Sequence, residues 1–125
     1  MAKVLLVEDN PANMTLATFL LESVGHSVIK ATDAEIAVGL AATEQPDLIL
    51  MDIQLPGMDG LRATGLLKAD PTTSAIPVIA LTALAMKGDE ERIRAAGCDG
   101  YIAKPLAYKE FLATISAELG KSRAA

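Results

Sequence analysis

The run Asp47-Leu48-Ile49-Leu50-Met51-Asp52 places four consecutive apolar residues before a carboxylate. Such a run predicts a strand that is buried on both faces, as in a parallel sheet covered by helices. A second run, Val4-Leu5-Leu6-Val7, ends in Glu8-Asp9. If the two strands are neighbours, three carboxylates converge, which is unfavourable unless a cation joins them or a proton neutralises one. The sequence therefore predicts a metal site beside a potential nucleophile, Asp52.

Strand and helix patterns alternate on both sides of this run. Short apolar runs predict strands over residues 3–7, 27–31, 48–51, 77–81 and 100–103. Apolar residues at helical spacing follow each strand. Five strand–helix units of this kind need crossover connections, so the sequence predicts a doubly wound α/β fold, a parallel sheet with helices on both faces. In such sheets, sites form beyond the carboxyl ends of the strands.

Cap and turn residues predict where the helices begin and end. Asn10-Pro11 is typical of a cap followed by proline in the first turn, and Gly25 ends that helix. Thr32 and Glu35 have the spacing of a capping box for the second helix. The third and fourth helices are predicted over 61–69 and 87–96. The last helix places on one face Tyr108, Phe111, Leu112, Ile115 and Leu119.

The last of these helices is expected to end at Gly120. We therefore predict one domain over residues 1–120 and a short C-terminal tail over 121–125, because a chain of 125 residues is the length of a single domain. Few residues follow the predicted last helix, so no further domain is expected after it. Either a stand-alone protein or a domain cut from a longer one fits the starting Met1.

Composition excludes several classes of function. Aromatic residues are only 3% of the chain, which argues against base stacking or a flat cofactor held between rings. The net charge of −5, without clusters of basic residues, disfavours nucleic-acid binding. No apolar run has the length of a membrane span or a signal peptide, so a cytoplasmic protein is expected. The one cysteine, Cys98, is predicted to be an inert structural thiol, and His26 a solvated loop residue.

Chemically useful side chains follow four of the five predicted strands. Glu8 and Asp9 follow the first strand and Asp52 ends the third, while Thr82 and Lys104 follow the fourth and fifth. Each has an ordinary interpretation alone; Glu8 and Asp9, for example, could simply cap the next helix. Together they suit phosphoryl transfer to a carboxylate, in which a cation, an ammonium group and a hydroxyl offset the repulsion between anions.

With these residues, the chain resembles a response-regulator receiver domain over essentially its whole length. The matching stretches are Val7-Glu8-Asp9-Asn10, Met51 to Gly60, Ala80-Leu81-Thr82-Ala83 and Lys104-Pro105. The stretch Ala85-Met86-Lys87-Gly88-Asp89-Glu90-Glu91-Arg92 further resembles stand-alone cell-cycle receivers of the DivK type. The resemblance implies a flavodoxin-like sheet of five parallel strands in the order 2-1-3-4-5.

The resemblance also implies a role for each site residue. Asp52 would accept a phosphoryl group. Asp9, Asp52 and the backbone carbonyl of Gln54 would bind Mg²⁺, for which Mn²⁺ is a possible substitute, and Glu8 would act mainly through water. Lys104 would hold a phosphoryl oxygen, and its bond to Pro105 is expected to be cis.

Two further residues would respond to phosphorylation. Thr82 would move toward the phosphoryl group, and Tyr101 would turn inward into the space that this frees. The surface of the fourth helix, fifth strand and fifth helix would then change its preference for partners. Leu84, two residues after Thr82, offers no polar group to orient a water, which predicts a phosphorylated lifetime governed by partner proteins rather than fast hydrolysis.

The resemblance implies partners as well. The donor would be a histidine kinase or a phosphotransfer protein, and the output would be contact with a downstream protein target, with no nucleic acid or membrane involved. The domain would be a phosphoacceptor in a two-component phosphorelay and not an enzyme. A receiver fragment of a hybrid histidine kinase is an alternative with the same chemistry.

Three other functions fit the sequence less well. A Mg²⁺-dependent aspartyl phosphatase of the haloacid-dehalogenase type needs a second acid two residues after the nucleophile, where this chain has Gln54. A flavin carrier needs a phosphate-cradling loop after the first strand, where Glu8-Asp9 would repel the phosphate. A non-phosphorylated binding scaffold would not require the complete set of site residues.

Overall fold

A single parallel sheet organises the molecule. The computed structural model describes residues 2–55, 57–83 and 87–124, with side chains for all of these except 87 and 122–124. The strands within those ranges are β1 (Lys3–Val7), β2 (Ser27–Ala31), β3 (Leu48–Asp52), β4 (Val78–Thr82) and β5 (Gly100–Ala103). They pair in parallel in the order β2-β1-β3-β4-β5. The predicted fold class and strand order are confirmed.

Helices cover both faces of the sheet. They are α1 (Pro11–Ser23), α2 (Ala34–Glu44), α3 (Gly60–Ala69), α4 (Lys87–Ala95) and α5 (Tyr108–Ala124). Alternate residues of β3 point to opposite faces: Ile49 and Met51 pack with residues of α2, α3 and α4, whereas Leu48 and Leu50 pack with α1 and α5. All five residues of β3 are buried, because both faces of this central strand are covered. No helix within the described ranges is long and apolar enough to cross a membrane.

The register of the strands determines where the site lies. Val7 is paired with Met51, and Asp52 is paired with Leu81 of β4. Thr82 is in turn paired with Ala103 of β5. Because parallel strands run in the same direction, the residues that follow β1, β3, β4 and β5 emerge at one edge of the sheet.

Two predictions about helix ends were wrong. The N-cap of α2 is Asp33, not Thr32: the Asp33 carboxylate accepts a hydrogen bond from the backbone N–H of Ile36 at 2.9 Å. Helix α5 does not end at Gly120 but continues to Ala124. Gly120 lies in open space, so its lack of a side chain does not oblige the chain to turn there. The division into a domain over 1–120 and a tail remains a prediction.

Smaller differences concern single residues. Strand β4 runs one residue later than predicted, and α4 ends one residue earlier, at Ala95. Tyr108, expected on the buried face of α5, is 57% exposed, because it is the first helical residue and lies beyond the edge of the core. The predicted cap Asn10 is confirmed, since its side chain accepts from the N–H groups of Ala12 and Asn13.

Candidate functional site

The predicted carboxylates come together at the carboxyl edge of the sheet. Asp52 ends β3, and Glu8 and Asp9 directly follow β1 on the neighbouring strand. One carboxylate oxygen from each of the three residues lies within 4.8 Å of the others. Glu8 and Asp52 are almost fully buried, at 1% and 2% exposure, whereas Asp9 is exposed. The cluster is therefore open to solvent on the side of Asp9.

Lys104, the residue after β5, supplies the positive charge of this cluster. Its Nζ lies 2.8 Å from Glu8 Oε1 and 3.1 Å from Asp52 Oδ2. Its backbone N–H donates to the carbonyl of Thr82 at 2.8 Å, which extends the pairing of β5 with β4. The Lys104–Pro105 peptide bond is cis, as predicted. The ammonium group thus bridges two buried acids that come from different strands.

Backbone groups hold both buried carboxylates in place. Asp52 Oδ1 accepts from the N–H of Gln54 at 2.9 Å, and Glu8 Oε2 accepts from the N–H of Asn10 at 3.2 Å. The helix cap is provided by Asn10, so the alternative in which Glu8 and Asp9 serve only as caps is not supported. The carboxylates are left to face one another and Lys104.

The surroundings shift the pKa values of the two buried acids in opposite directions. Burial, together with the neighbouring Asp52 carboxylate, raises the pKa of Glu8. Burial also acts to raise the pKa of Asp52, but hydrogen bonds from Glu8, from the Gln54 N–H and from Lys104 outweigh it, and the net pKa is lowered. Burial opposes the charge of Lys104, yet the two acids raise its pKa above the ordinary value. The Gln54 N–H and the Lys104 ammonium thus favour the charged, nucleophilic form of Asp52.

The donor set fits a magnesium ion. Three carboxylates within 4.8 Å are the hard oxygen ligands that Mg²⁺ prefers, and Asp9 is open to the waters that this ion retains. Within the described residues, Glu8 Oε1 is buried and makes a close ion pair with Lys104 but no hydrogen bond of good geometry. An oxygen in that position has a lone pair left for a metal-bound water.

The two predicted response residues lie on β4 and on β5, the strand that precedes Lys104. Thr82 is buried at the end of β4, one residue beyond the partner of Asp52 in the sheet. Tyr101 is half-buried on β5 and packs against the core on the face of α2, α3 and α4. The roles of both residues remain predictions.

His26 and Cys98 lie outside the cluster. His26 follows α1 at the opposite edge of the sheet, where its Nδ1 accepts from the N–H of Ala2 at 3.1 Å. His26 lies in a connection, as predicted, but its ring is only partly solvated and ties the N-terminus to the turn. Cys98 is buried, burial raises the pKa of its thiol, and its Sγ lies 3.7 Å from Thr64 Oγ1, as expected for a structural thiol.

Some predictions fall on residues that the structure does not describe. Leu84, and with it the predicted lifetime of the phosphorylated form, lies outside the described residues. Pro56, Ala85, Met86 and the side chain of Lys87, which contributed to the resemblance, lie outside them as well.

One close contact at the site was not predicted from the sequence. Gly60, the first residue of α3, packs so tightly on β3 that a Cβ placed there would collide with the backbone oxygen of Asp52. The same Cβ would lie 2.8 Å from the Cα of Ile53. The pair Asp59-Gly60 signals only a turn, because a residue without a side chain shows nothing in the sequence about what approaches it.

Comparison with known proteins defines the class. A family model described as the response regulator receiver domain matches residues 4–116. The chain therefore belongs to the response-regulator receiver family and is a domain of two-component signal transduction whose site fits a phosphoacceptor. Members of this family are signalling domains that interact with histidine kinases and downstream targets.

Individual relatives show which kind of response regulator this chain is similar to. The polar-differentiation response regulator DivK of Brucella anthropi is 51% identical over 117 residues, which cover 94% of this chain and 95% of the relative. DivK of Brucella ovis has the same identity and coverage. The chain is thus homologous to a single-domain response regulator, as the resemblance predicted.

Solved structures agree with this classification. The receiver domain of the sensor histidine kinase PA1611 from Pseudomonas aeruginosa has a TM-score of 0.89 and 39% identity, covering 95% of this chain and 98% of that one. That structure holds a magnesium ion in its active-site cleft. Chemotaxis protein CheY4 of Vibrio cholerae has a TM-score of 0.88 and 26% identity, covering 94% and 98%. Mg²⁺ is the cofactor that the acidic cluster and this likeness support.

Proposed function

We propose that Asp52 accepts a phosphoryl group from a phosphohistidine on a histidine kinase or a phosphotransfer protein. The observation that carries this proposal is the buried Asp52 carboxylate, kept anionic and placed between two further acids and the Lys104 ammonium. A carboxylate of this kind is a competent nucleophile for phosphoryl transfer.

The transfer forms one bond and breaks one. An oxygen of Asp52 attacks phosphorus, the bond from phosphorus to the donor imidazole breaks, and its electron pair stays on that ring nitrogen. Lys104, which already lies 3.1 Å from Asp52 Oδ2, would then contact an oxygen of the transferred group. The Gln54 N–H holds the other carboxylate oxygen and orients the side chain.

Asp9, Asp52 and the backbone carbonyl of Gln54 would hold Mg²⁺, with Glu8 acting through water. The ion supplies positive charge that offsets the repulsion between the carboxylate and the incoming phosphoryl group. Its charge would add to that of Lys104, which pairs with the buried acids Glu8 and Asp52.

The output of the domain would be a change in protein contacts. Thr82 would move toward the phosphoryl group and Tyr101 would turn inward, which alters the surface formed by α4, β5 and α5. The domain would therefore store a signal without turning over a separate substrate. Gln54 is an amide and cannot act as the general acid of an aspartyl phosphatase. The domain would act as a phosphoacceptor in the cytoplasm, with a kinase as the donor.

Incubation with acetyl phosphate and Mg²⁺, followed by intact mass measurement, tests the acceptor. We expect wild type to gain one phosphoryl group and Asp52→Asn to gain none. Asp59→Asn is a matched control, because the Asp59 carboxylate caps α3 by accepting from the Arg62 N–H and asparagine caps a helix equally well. No gain at any Mg²⁺ concentration would favour a binding scaffold instead.

A second experiment tests the switch. Binding partners recovered with and without beryllofluoride, which mimics the phosphoryl group, should differ for wild type and become alike for Thr82→Ala. Equal recovery of the same partners by wild type in both states would refute a change in surface.

A further inference from the structure

We propose that Gly60 is a positioning residue for the phosphoacceptor site. This inference rests on the function proposed above. The bare backbone of Gly60 at the start of α3 lets the helix pack directly on the carboxyl end of β3. A Cβ there would collide with the backbone oxygen of Asp52 and lie within 2.8 Å of the Ile53 Cα and 3.0 Å of the Asp52 carbonyl carbon. Real Cβ atoms essentially never approach backbone this closely, so one of the two segments would have to shift.

The segment that would shift carries site groups. Asp52 Oδ1 is bonded to the Gln54 N–H at 2.9 Å, and the Ile53 N–H donates to the carbonyl of Leu81 at 3.2 Å. A displacement of the Asp52 and Ile53 backbone therefore moves the nucleophile, its hydrogen bond and the proposed metal-binding carbonyl of Gln54 together. Positions of metal ligands and nucleophiles tolerate only small errors.

The helix, by contrast, is held where it is. Asp59 caps α3 by accepting from the Arg62 N–H at 2.9 Å. Thr64, fully buried, donates to the carbonyl of Gly60 at 2.8 Å. Ala63 and Leu67 are buried in the core on this face of the sheet. Because α3 is held by its cap and its packed face, we expect part of the displacement to fall on the segment after β3, where Gln54 is exposed although Ile53 and Leu55 are buried.

Conformational freedom does not explain the glycine. Gly60 is not among the described glycines with a positive φ, which are Gly25, Gly57 and Gly97. At a helical position alanine has a higher intrinsic propensity than glycine. What Gly60 offers is space, and the space it leaves is occupied by the backbone of the phosphoacceptor.

The test compares Gly60→Ala with Gly65→Ala, a matched change in the same helix at a position with nothing within 4 Å. Magnesium chloride is titrated calorimetrically into each folded protein, and the amide chemical shifts of Ile53 and Gln54 are recorded without metal. We expect Gly60→Ala to bind Mg²⁺ about 10- to 100-fold more weakly, the range typical for altered support of metal ligands. Its Ile53 and Gln54 amides should shift, whereas Gly65→Ala should match wild type in both measurements.

Each outcome is decisive. A Gly60→Ala protein that binds Mg²⁺ as tightly as Gly65→Ala overturns the proposal. If Gly60→Ala does not fold in buffer, the titration is repeated in trimethylamine N-oxide, an osmolyte that favours the folded state. Failure to fold there also overturns it, because Gly60 would then serve the whole fold rather than the site. Failure of wild type itself to bind Mg²⁺ would refute the proposed function instead.

Discussion

Lys104 is the residue on which the charge balance of the site depends. Its ammonium group bridges Glu8 and Asp52, both almost fully buried. Removing one partner of a buried ion pair destabilises a protein because the remaining charge is left without compensation. The same charge can be supplied by a bound divalent cation.

We therefore predict that Lys104→Met lowers the free energy of unfolding by about 3 kcal/mol in EDTA. The loss should be smaller in saturating Mg²⁺, because the ion then neutralises the acids. Urea unfolding under both conditions measures the difference. Lys68→Met is the control: Lys68 pairs with Asp99 at the other end of the sheet, so Mg²⁺ should not restore its stability. An equal loss with and without Mg²⁺ for Lys104→Met would contradict the prediction.

At the scale of single residues, polarity alone indicated the site. Asp52 and Lys104 are charged residues at the ends of apolar runs, and such residues stand out in a sequence. The contact of Gly60 could not be predicted in the same way, because close approach of two backbones depends on where a helix packs. The hydrogen bond of His26 with Ala2 likewise joins residues that are 24 positions apart.

At the scale of elements, the beginning of α2 provides a test of the corrected cap. Asp33→Ala should lower the free energy of unfolding by about 1 kcal/mol, because the N–H of Ile36 loses its acceptor. Thr32→Ala should leave it within about 0.5 kcal/mol of wild type, as for an exposed residue without a cap role. Chemical denaturation compares the two variants. A larger effect for Thr32 would restore the capping box that the sequence suggested.

The end of α5 provides a second test at this scale. Because Gly120 lies inside the helix and in open space, Gly120→Ala should raise the free energy of unfolding by about 0.5–1 kcal/mol. Gly65→Ala, inside α3 and equally unobstructed, should have a similar effect. Thermal unfolding followed by circular dichroism measures both. A destabilised Gly120→Ala would mean that the helix ends where the sequence predicted.

Strands were predicted more accurately than helix ends, for a physical reason. The buried strand β3 is apolar over Leu48 to Met51, so the change in composition at Asp52 predicts the end of the strand to within one residue. A helix end depends on which of two adjacent residues adopts the cap conformation, and Thr32 and Asp33 are both good caps. The extended backbone and side-chain bond at Asp33 decided between them.

At the scale of the whole molecule, metal binding and folding should be coupled. A ligand that binds only the folded state stabilises it, and above its dissociation constant each tenfold rise in Mg²⁺ should add about 1.4 kcal/mol. We expect the melting temperature of wild type to rise with Mg²⁺ concentration in this way. In Asp9→Asn, which removes one carboxylate of the cluster, the rise should be much smaller. A wild-type melting temperature that does not depend on Mg²⁺ would contradict a metal site at this edge.

The sequence by itself determined the class of fold and the chemistry of the site. Apolar runs separated by helical patterns permit few arrangements other than a doubly wound parallel sheet, and charged residues at strand ends have to meet at its edge. The tertiary structure decided the distances. Lys104 contacts both Glu8 and Asp52, and Gly60 lies against the backbone of Asp52, because elements far apart in the chain pack into the same place. Packing depends on all elements at once, so it cannot be predicted from any one local stretch of sequence.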